Sequence, residues 1–297
     1  MIHPNRISLA IASLFAISGC TGSPEHSLDF TPEFSFTKGI EGPAVDEQGN
    51  VYAVNFEKEG TIGVVNGKGE GKIFLTLPDG SIGNGIRFDA EGNMFIADYL
   101  GHKVYRVAKG SNIPEVWAQD SILNQPNDLT IAPDGSIYLS DPNWSKGTGR
   151  IWLLDRDRNL RILEDHMGTT NGIEVSPDGK KLYVNESVQR KVWEYSIKSD
   201  GTVYQKKELI TFPDYGMDGM RCDIKGNLYI TRYDKGTVAV VSPAGKIISE
   251  IQLTGKKPSN IAFGGKDGKI CYVTMADRGC IETFKAEYRG NLLNKTF

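Results

Sequence analysis

The sequence predicts an all-β fold, a six-bladed β-propeller of four-stranded blades, and three observations predict it. An acid or amide opens a hydrophobic run six times, at Glu41, Asn84, Asn127, Asn171, Asp218 and Asn260, in steps of 43, 43, 44, 47 and 42 residues. A glycine follows each after eight residues, at Gly49, Gly92, Gly135, Gly179, Gly226 and Gly268. Each unit also holds four short runs rich in β-branched and aromatic residues. A period of this length signals repeated supersecondary units, and four strands per repeat is the make-up of a propeller blade.

The third repeat shows the local logic. Leu129 to Ala132 and Ile137 to Ser140 read as strands, and Asp134-Gly135 between them as a tight hairpin, because glycine reaches positive φ without a Cβ clash. Matching hairpins run from Val45 to Val54, Ile86 to Ala97, Ile173 to Val184, Met220 to Thr231 and Ile261 to Thr274. Two outer strands follow each, for example Lys103 to Val107 and Pro114 to Trp117. Turn signals in a β-sandwich recur roughly every 8–12 residues and would not hold one offset through six repeats. The last repeat lacks an outer strand. Leu28 to Thr37, which precedes the first hairpin, is expected to supply it and close the ring, removing exposed edges. Lys285 to Phe297 is left as a last strand or a packing tail.

Residues 1–20 read as a lipoprotein signal: Arg6, an apolar core from Ile7 to Ile17 too short to span a bilayer, then Ile17-Ser18-Gly19-Cys20. The reading makes Cys20 the lipidation site, residues 21–27 a polar tether, and 28–297 the propeller domain. An exported, membrane-anchored bacterial protein follows, touching membrane only through its lipid, and a monomer is expected. An ordinary secretory signal with an incidental cysteine is the weaker alternative. The formal net charge of −3 and the lack of a basic stripe exclude nucleic acid as a partner. Cys222, Cys271 and Cys280 read as buried small hydrophobes, with a Cys271–Cys280 disulfide as the alternative.

In a propeller the first strand of each blade lines the central channel, so the six repeat-opening residues crowd one mouth. Glu41 and Asp218 then share a partly desolvated hole. Two like charges about 4 Å apart repel by roughly 4 kcal/mol at an effective dielectric of 20, which a cation or a proton relieves. With the neutral amide oxygens of Asn84, Asn127, Asn171 and Asn260 the set suits a hard divalent cation, Ca²⁺ first, with Mg²⁺, Mn²⁺ and Zn²⁺ as alternatives. The lack of an imidazole argues against a zinc-type nitrogen site. Strand-start capping would account for Asn84 and Asn260 alone, but poorly for two carboxylates in a narrow channel. Counting three beyond the second-strand aromatic places Asn55, Asp98, Asp141, Glu186, Arg232 and Met275 at the same mouth. Counting from the repeat opening gives Asn185 and Thr274 in the fourth and sixth blades instead. His102 and His166 fall outside the ring. Asp155 to Asn159 reads as a charged turn. Trp144 is either a lid or packed on its own blade. No nucleophile elbow, zincin or Walker motif is present.

Glu41-Gly42-Pro43, Pro126-Asn127-Asp128, Asn171-Gly172-Ile173 with Ser176-Pro177-Asp178-Gly179, and Asp218-Gly219-Met220 together resemble the regucalcin/gluconolactonase family, over essentially the whole chain after the leader. That family comprises six-bladed, metal-dependent lactone hydrolases, more distantly related to paraoxonases and diisopropyl-fluorophosphatase. The resemblance implies Glu41, Asn171 and Asp218 as metal ligands and Asn127 as a contact to substrate or ligated water. Members acting on sugar-derived substrates carry an arginine two residues before that asparagine; here it is Gln125, which argues against polyhydroxylated sugar lactones. Metal-assisted lactone hydrolysis is therefore expected, with Asp218 as ligand and general base, and Arg232 and Asp141 as candidate substrate contacts at the rim. The alternatives are a metal-stabilised binding module without catalysis, and a phosphotriesterase- or arylesterase-like hydrolase on the same metal.

Overall fold

In a computed structural model, which describes residues 26–293, the chain forms six four-stranded antiparallel sheets arranged as a β-propeller. The innermost strands are Ala44–Val45, Gly83–Phe88, Leu129–Ile131, Thr170–Val175, Met220–Cys222 and Pro258–Gly264. Each is paired by a hairpin to a second strand: Val51–Val54, Met94–Asp98, Ile137–Asn143, Lys181–Glu186, Leu228–Arg232 and Ile270–Met275. All six turn glycines adopt positive φ, between 70° and 89°, as the hairpins require. The expected lipidation site Cys20 and the leader lie outside the described residues.

The ring closes as expected. Leu28–Asp29 pairs antiparallel with Cys280–Lys285 and forms the fourth strand of the last blade. The fold begins slightly earlier than residue 28, because Ser27 is buried and its hydroxyl binds Glu282. Arg278 fastens the closure. Its guanidinium makes a two-pronged contact with Asp29 at 2.6 and 2.8 Å and also meets Glu33 and Glu282. The tail beyond Cys280–Lys285 is a packing tail: Asn291 and Leu292 line the far end of the channel, and Gly290 bridges Asp223.

Hydrophobic packing repeats with the blades. Six apolar clusters each lie between two neighbouring blades, the last joining the sixth to the first through Ala262, Tyr272, Val45 and Phe36. A sheet buried on both faces needs apolar residues at successive positions, which is why second strands such as Met94–Asp98 are buried throughout. The three described cysteines are free and buried. Cys271 faces Phe284 and Cys280 faces Met275 across the strands, so the two do not face each other.

Candidate active site

The inner strands bring five of the six repeat-opening residues to one cavity at a mouth of the channel. Glu41, Asn84, Asn127, Asn171 and Asp218 line its floor. Asn260 lies just beneath and donates through Nδ2 to Glu41 Oε2 at 3.0 Å and to Asp128 Oδ2 at 3.4 Å. Four of these residues are followed by glycine for a steric reason. A Cβ on Gly42 would lie 1.9 Å from the Asn84 carbonyl, one on Gly85 2.6 Å from Asp128 Oδ1, one on Gly172 2.6 Å from the Asp218 carbonyl, and one on Gly219 2.0 Å from Asn260. Each glycine lets the next blade's floor residue approach, so the repeated glycine is what makes a tight ring of side chains.

Electrostatically the floor is under tension. Asp218 contacts both Asn171 and Glu41. Burial, then the Glu41 charge, pushes the Asp218 carboxyl well above the usual range. Glu41 rises to about 7 through burial and the nearby charge of Asp128, although the Gly42 N–H and Asn260 both donate to it. The Oδ1 atoms of Asn127 and Asn171 are buried without any hydrogen-bond partner. Buried oxygens are almost always satisfied, so two orphans on residues that line one cavity with two strained carboxyls mark a place for a positive ligand. Two carboxylates and two free amide oxygens fit a hard divalent cation held by Glu41, Asn171 and Asp218, with Asn127 beside it.

One layer down lies a cluster not anticipated from the sequence. Asp128, fully buried, meets Arg87 Nη1 at 3.0 Å and Arg221 Nη1 at 3.3 Å, and Arg87 also reaches Glu174 at 3.8 Å. Burial works against the Asp128 charge, but Arg87 and Arg221 outweigh it and hold the carboxyl below its usual range. Arg87, Glu174 and Arg221 each stand three residues after a floor residue, and that spacing was the available signal. Ladder irregularities between Gly83 and Ile86 and between Thr170 and Ile173 add a residue to two of these inner strands, which lets both positions face the channel.

The second-strand set is displaced from its expected place. Arg232 and Asp141, expected at the rim, are buried and do not line the cavity. Arg232 stacks on Phe212, 3.8 Å from its ring centre, and its Nη2 binds the carbonyl and carboxylate of Asp214. Asp141 accepts from the backbone N–H groups of Asn124 and Gln125 and from Trp152 Nε1. Asn55, Asp98 and Glu186 do the same work in their blades, on Gly39, Ile82 and Gly168. These residues therefore clamp the segment that enters their own blade, a few residues before its floor residue. Met275 is plain core, and Asp277 holds Lys256 and Lys257 instead. The side chain that reaches the cavity is the neighbour: Tyr99 after Asp98, Ser187 after Glu186, Tyr233 after Arg232 and Ala276 after Met275. Strand side chains alternate, so a count one residue out exchanges wall for core. Trp144 joins the cavity wall, while His102 binds the Asn124 carbonyl and His166 is exposed.

Comparison with known proteins shows the family. Residues 41–277 match the family described as SMP-30/Gluconolactonase/LRE-like region, and the chain belongs to it. Similar curated proteins include a gluconolactonase from Zymomonas mobilis, 27% identical over 65% of this chain and 60% of that protein, and a pentonolactonase from Haloferax volcanii, 26% identical over 65% and 66%. The chain thus spans somewhat under two thirds of the length of these two relatives. The diisopropyl-fluorophosphatase of Loligo vulgaris is 26% identical over 88% of this chain and 93% of its own. Among solved structures, a calcium-binding protein, regucalcin, from Agrobacterium tumefaciens superposes with a TM-score of 0.77 at 19% identity, over 91% of this chain and 98% of that one. A gluconolactonase from Xanthomonas campestris gives 0.76 at 21% identity, over 87% and 89%. At these identities the structural likeness speaks for the fold.

Proposed function

We propose that this protein is a divalent-cation-dependent hydrolase that opens a lactone to its hydroxy acid, with calcium as the favoured ion. The observation that carries the reading is the pair of orphaned amide oxygens, on Asn127 and Asn171, in the cavity that Glu41 and Asp218 also line. The lactonase names of the Zymomonas and Haloferax relatives support the substrate class. When bound at this floor, a divalent cation supplies Lewis-acid polarisation of the ester carbonyl.

The chain's own residues do the rest. Glu41, Asn171 and Asp218 would hold the cation, and beside it Asp218 would stay the carboxylate that burial and Glu41 otherwise disfavour. Asn127 orients the substrate or the attacking water through its free Oδ1. Asp218 takes a proton from that water as its oxygen bonds to the carbonyl carbon. The ring C–O bond then breaks, and the proton passes from Asp218 to the departing oxygen, giving one hydroxyl and one carboxylic acid, which releases its remaining proton to solvent. General-base assistance of this kind is typically worth about 10²–10⁴-fold.

The test offers several lactones to the purified protein with and without chelator. Turnover that disappears with chelator and in Asp218→Asn supports the reading. Cation binding without turnover of any ester favours a binding module. The extent of the alignment with the Loligo enzyme keeps phosphotriester hydrolysis as the second reading, tested by an organophosphate ester in the same assay. We further infer that the enzyme is exported and anchored through Cys20.

A further inference from the structure

The floor of the cavity and its wall differ in chemistry. The floor carries buried oxygens. Above it, consecutive blades present rings and one aliphatic side chain: Tyr99 from the second, Trp144 from the third, Val188 from the fourth, Tyr215 from the segment entering the fifth, and Tyr233 from the fifth. Trp144, Val188 and Tyr215 remain 37%, 63% and 49% exposed, an unusual concentration of bare apolar surface at one mouth. The sixth and first blades contribute Ser259, Ala276, Lys38, Gly39 and Ile40 there and no ring, so the aromatic wall is an arc with one open side.

The arc is built. Tyr215 sits in the left-handed region at φ 40°, which a tyrosine enters only when its surroundings hold it. Arg232 holds it: Nη2 binds the carbonyls of both Asp214 and Tyr215, and the guanidinium is stacked on Phe212. The buried arginine thus fixes a ring at the cavity edge. The cavity, about 530 Å³, has room for a group beyond a lactone ring resting on the floor.

A hydroxyl-rich ligand needs a buried donor or acceptor for each hydroxyl, because a site selects hydroxyls by leaving its own polar groups unpaired without them. The wall offers few. Its charged members, Lys38, Arg190 and Asp234, are exposed to water, and Asp234 already faces Lys257 at 3.7 Å. We propose that this mouth selects lactones bearing an apolar aryl or alkyl substituent on the ring over polyhydroxylated ones, with Tyr99, Trp144, Tyr215 and Tyr233 as specificity-determining residues. The proposal rests on the lactone-hydrolase reading above. In it the ester meets the floor oxygens while the substituent covers the rings, removing apolar surface from water on both sides.

The experiment measures kcat/KM for δ-valerolactone, 5-phenyl-δ-valerolactone and glucono-δ-lactone on the cation-loaded protein, and repeats it on Trp144→Ala and Tyr215→Ala. The phenyl compound is expected to exceed the unsubstituted one by about 10–100-fold, the range that burial of one ring supplies. Glucono-δ-lactone is expected below both. In each variant the phenyl-to-unsubstituted ratio should fall toward one, a change that general loss of fold does not produce because both substrates share the enzyme. Glucono-δ-lactone turned over as well as the phenyl compound, or a ratio unmoved in both variants, overturns the proposal and leaves the hydrolase reading standing. Turnover of none of the three overturns both.

Discussion

Two layers of the central channel are built from the same inner-strand segments, a few residues apart, and reach opposite electrostatic solutions. At the open mouth Glu41 and Asp218 lie in contact, with the free oxygens of Asn127 and Asn171 beside them. A few residues further along the same strands, Asp128 and Glu174 are matched by Arg87 and Arg221. The lower layer carries its own cations as side chains. The upper layer does not, and Glu41 and Asp218 both shift toward the protonated form; in the lower layer Asp128 is held below its usual range, while burial still raises Glu174 against the pull of Arg221 and Arg87. The difference teaches that buried acidity alone does not mark a binding site; buried acidity that the chain leaves uncompensated does.

That contrast fixes what opposite substitutions should do. The largest effect is on rate. Asp218→Asn should lower lactone kcat by about 10²–10⁴-fold while the apo protein keeps its melting temperature or gains a little, because one of two repelling carboxyls is gone. Steady-state kinetics beside calorimetry reads both. Asp128→Ala should do the reverse in kind, costing about 3–5 kcal/mol of stability by removing the carboxylate that pairs the buried Arg221 and the half-buried Arg87, as urea unfolding would show. If Asp128→Ala is as stable as wild type, the lower layer is not the compensated network described.

The pH dependence separates Asp128 from the floor carboxyls next. Glu41 rises to about 7 in the fold from an ordinary 4.5, and Asp218 is also raised. The folded chain therefore binds more protons than the unfolded one between those values, and stability falls as pH rises. Stability should be full below about pH 4.5 as far as these groups are concerned, and lost progressively up to about 7. Chelator-treated protein should melt on the order of 5 °C lower at pH 7.5 than at pH 5, and calcium should restore most of the difference at the higher pH. Asp128 is lowered in the fold, so its contribution runs the opposite way and is lost only in stronger acid.

The smallest expected effect concerns the clamps beneath the wall. Arg232→Met should leave the blades intact but free the Asp214–Tyr215 segment. KM should rise several-fold for substrates that touch Tyr215, with a smaller change in kcat, as judged from full saturation curves.

How much of this was legible in the sequence follows from the periods involved. The forty-odd-residue repeat and its turn glycines carried the blade count, the hairpins and the floor residues, because every blade repeats the same steric problem. The closing strand at Leu28–Asp29 was legible because the last repeat was one strand short. The wall was not, because its identity depends on alternation within a strand. Asp98 and Tyr99, or Arg232 and Tyr233, are neighbours in sequence but separate into core and cavity. The lower ion network was also hidden. Arg87, Glu174 and Arg221 look like ordinary exposed charges until ladder irregularities turn two of their strands, and only the three-residue offset from the floor residues hinted otherwise. Tyr215 carried no signal at all, because the segment between Thr211 and Asp218 is no longer than its counterparts in other blades.

The most direct test of the central claim is a calcium titration by calorimetry on chelator-stripped protein near pH 7.5, alongside Glu41→Gln, Asn171→Ala and Asp218→Asn. The proposed function predicts one site per chain in the wild type, and binding weakened at least tenfold by each substitution. Absence of any site, or a site indifferent to all three changes, would contradict it.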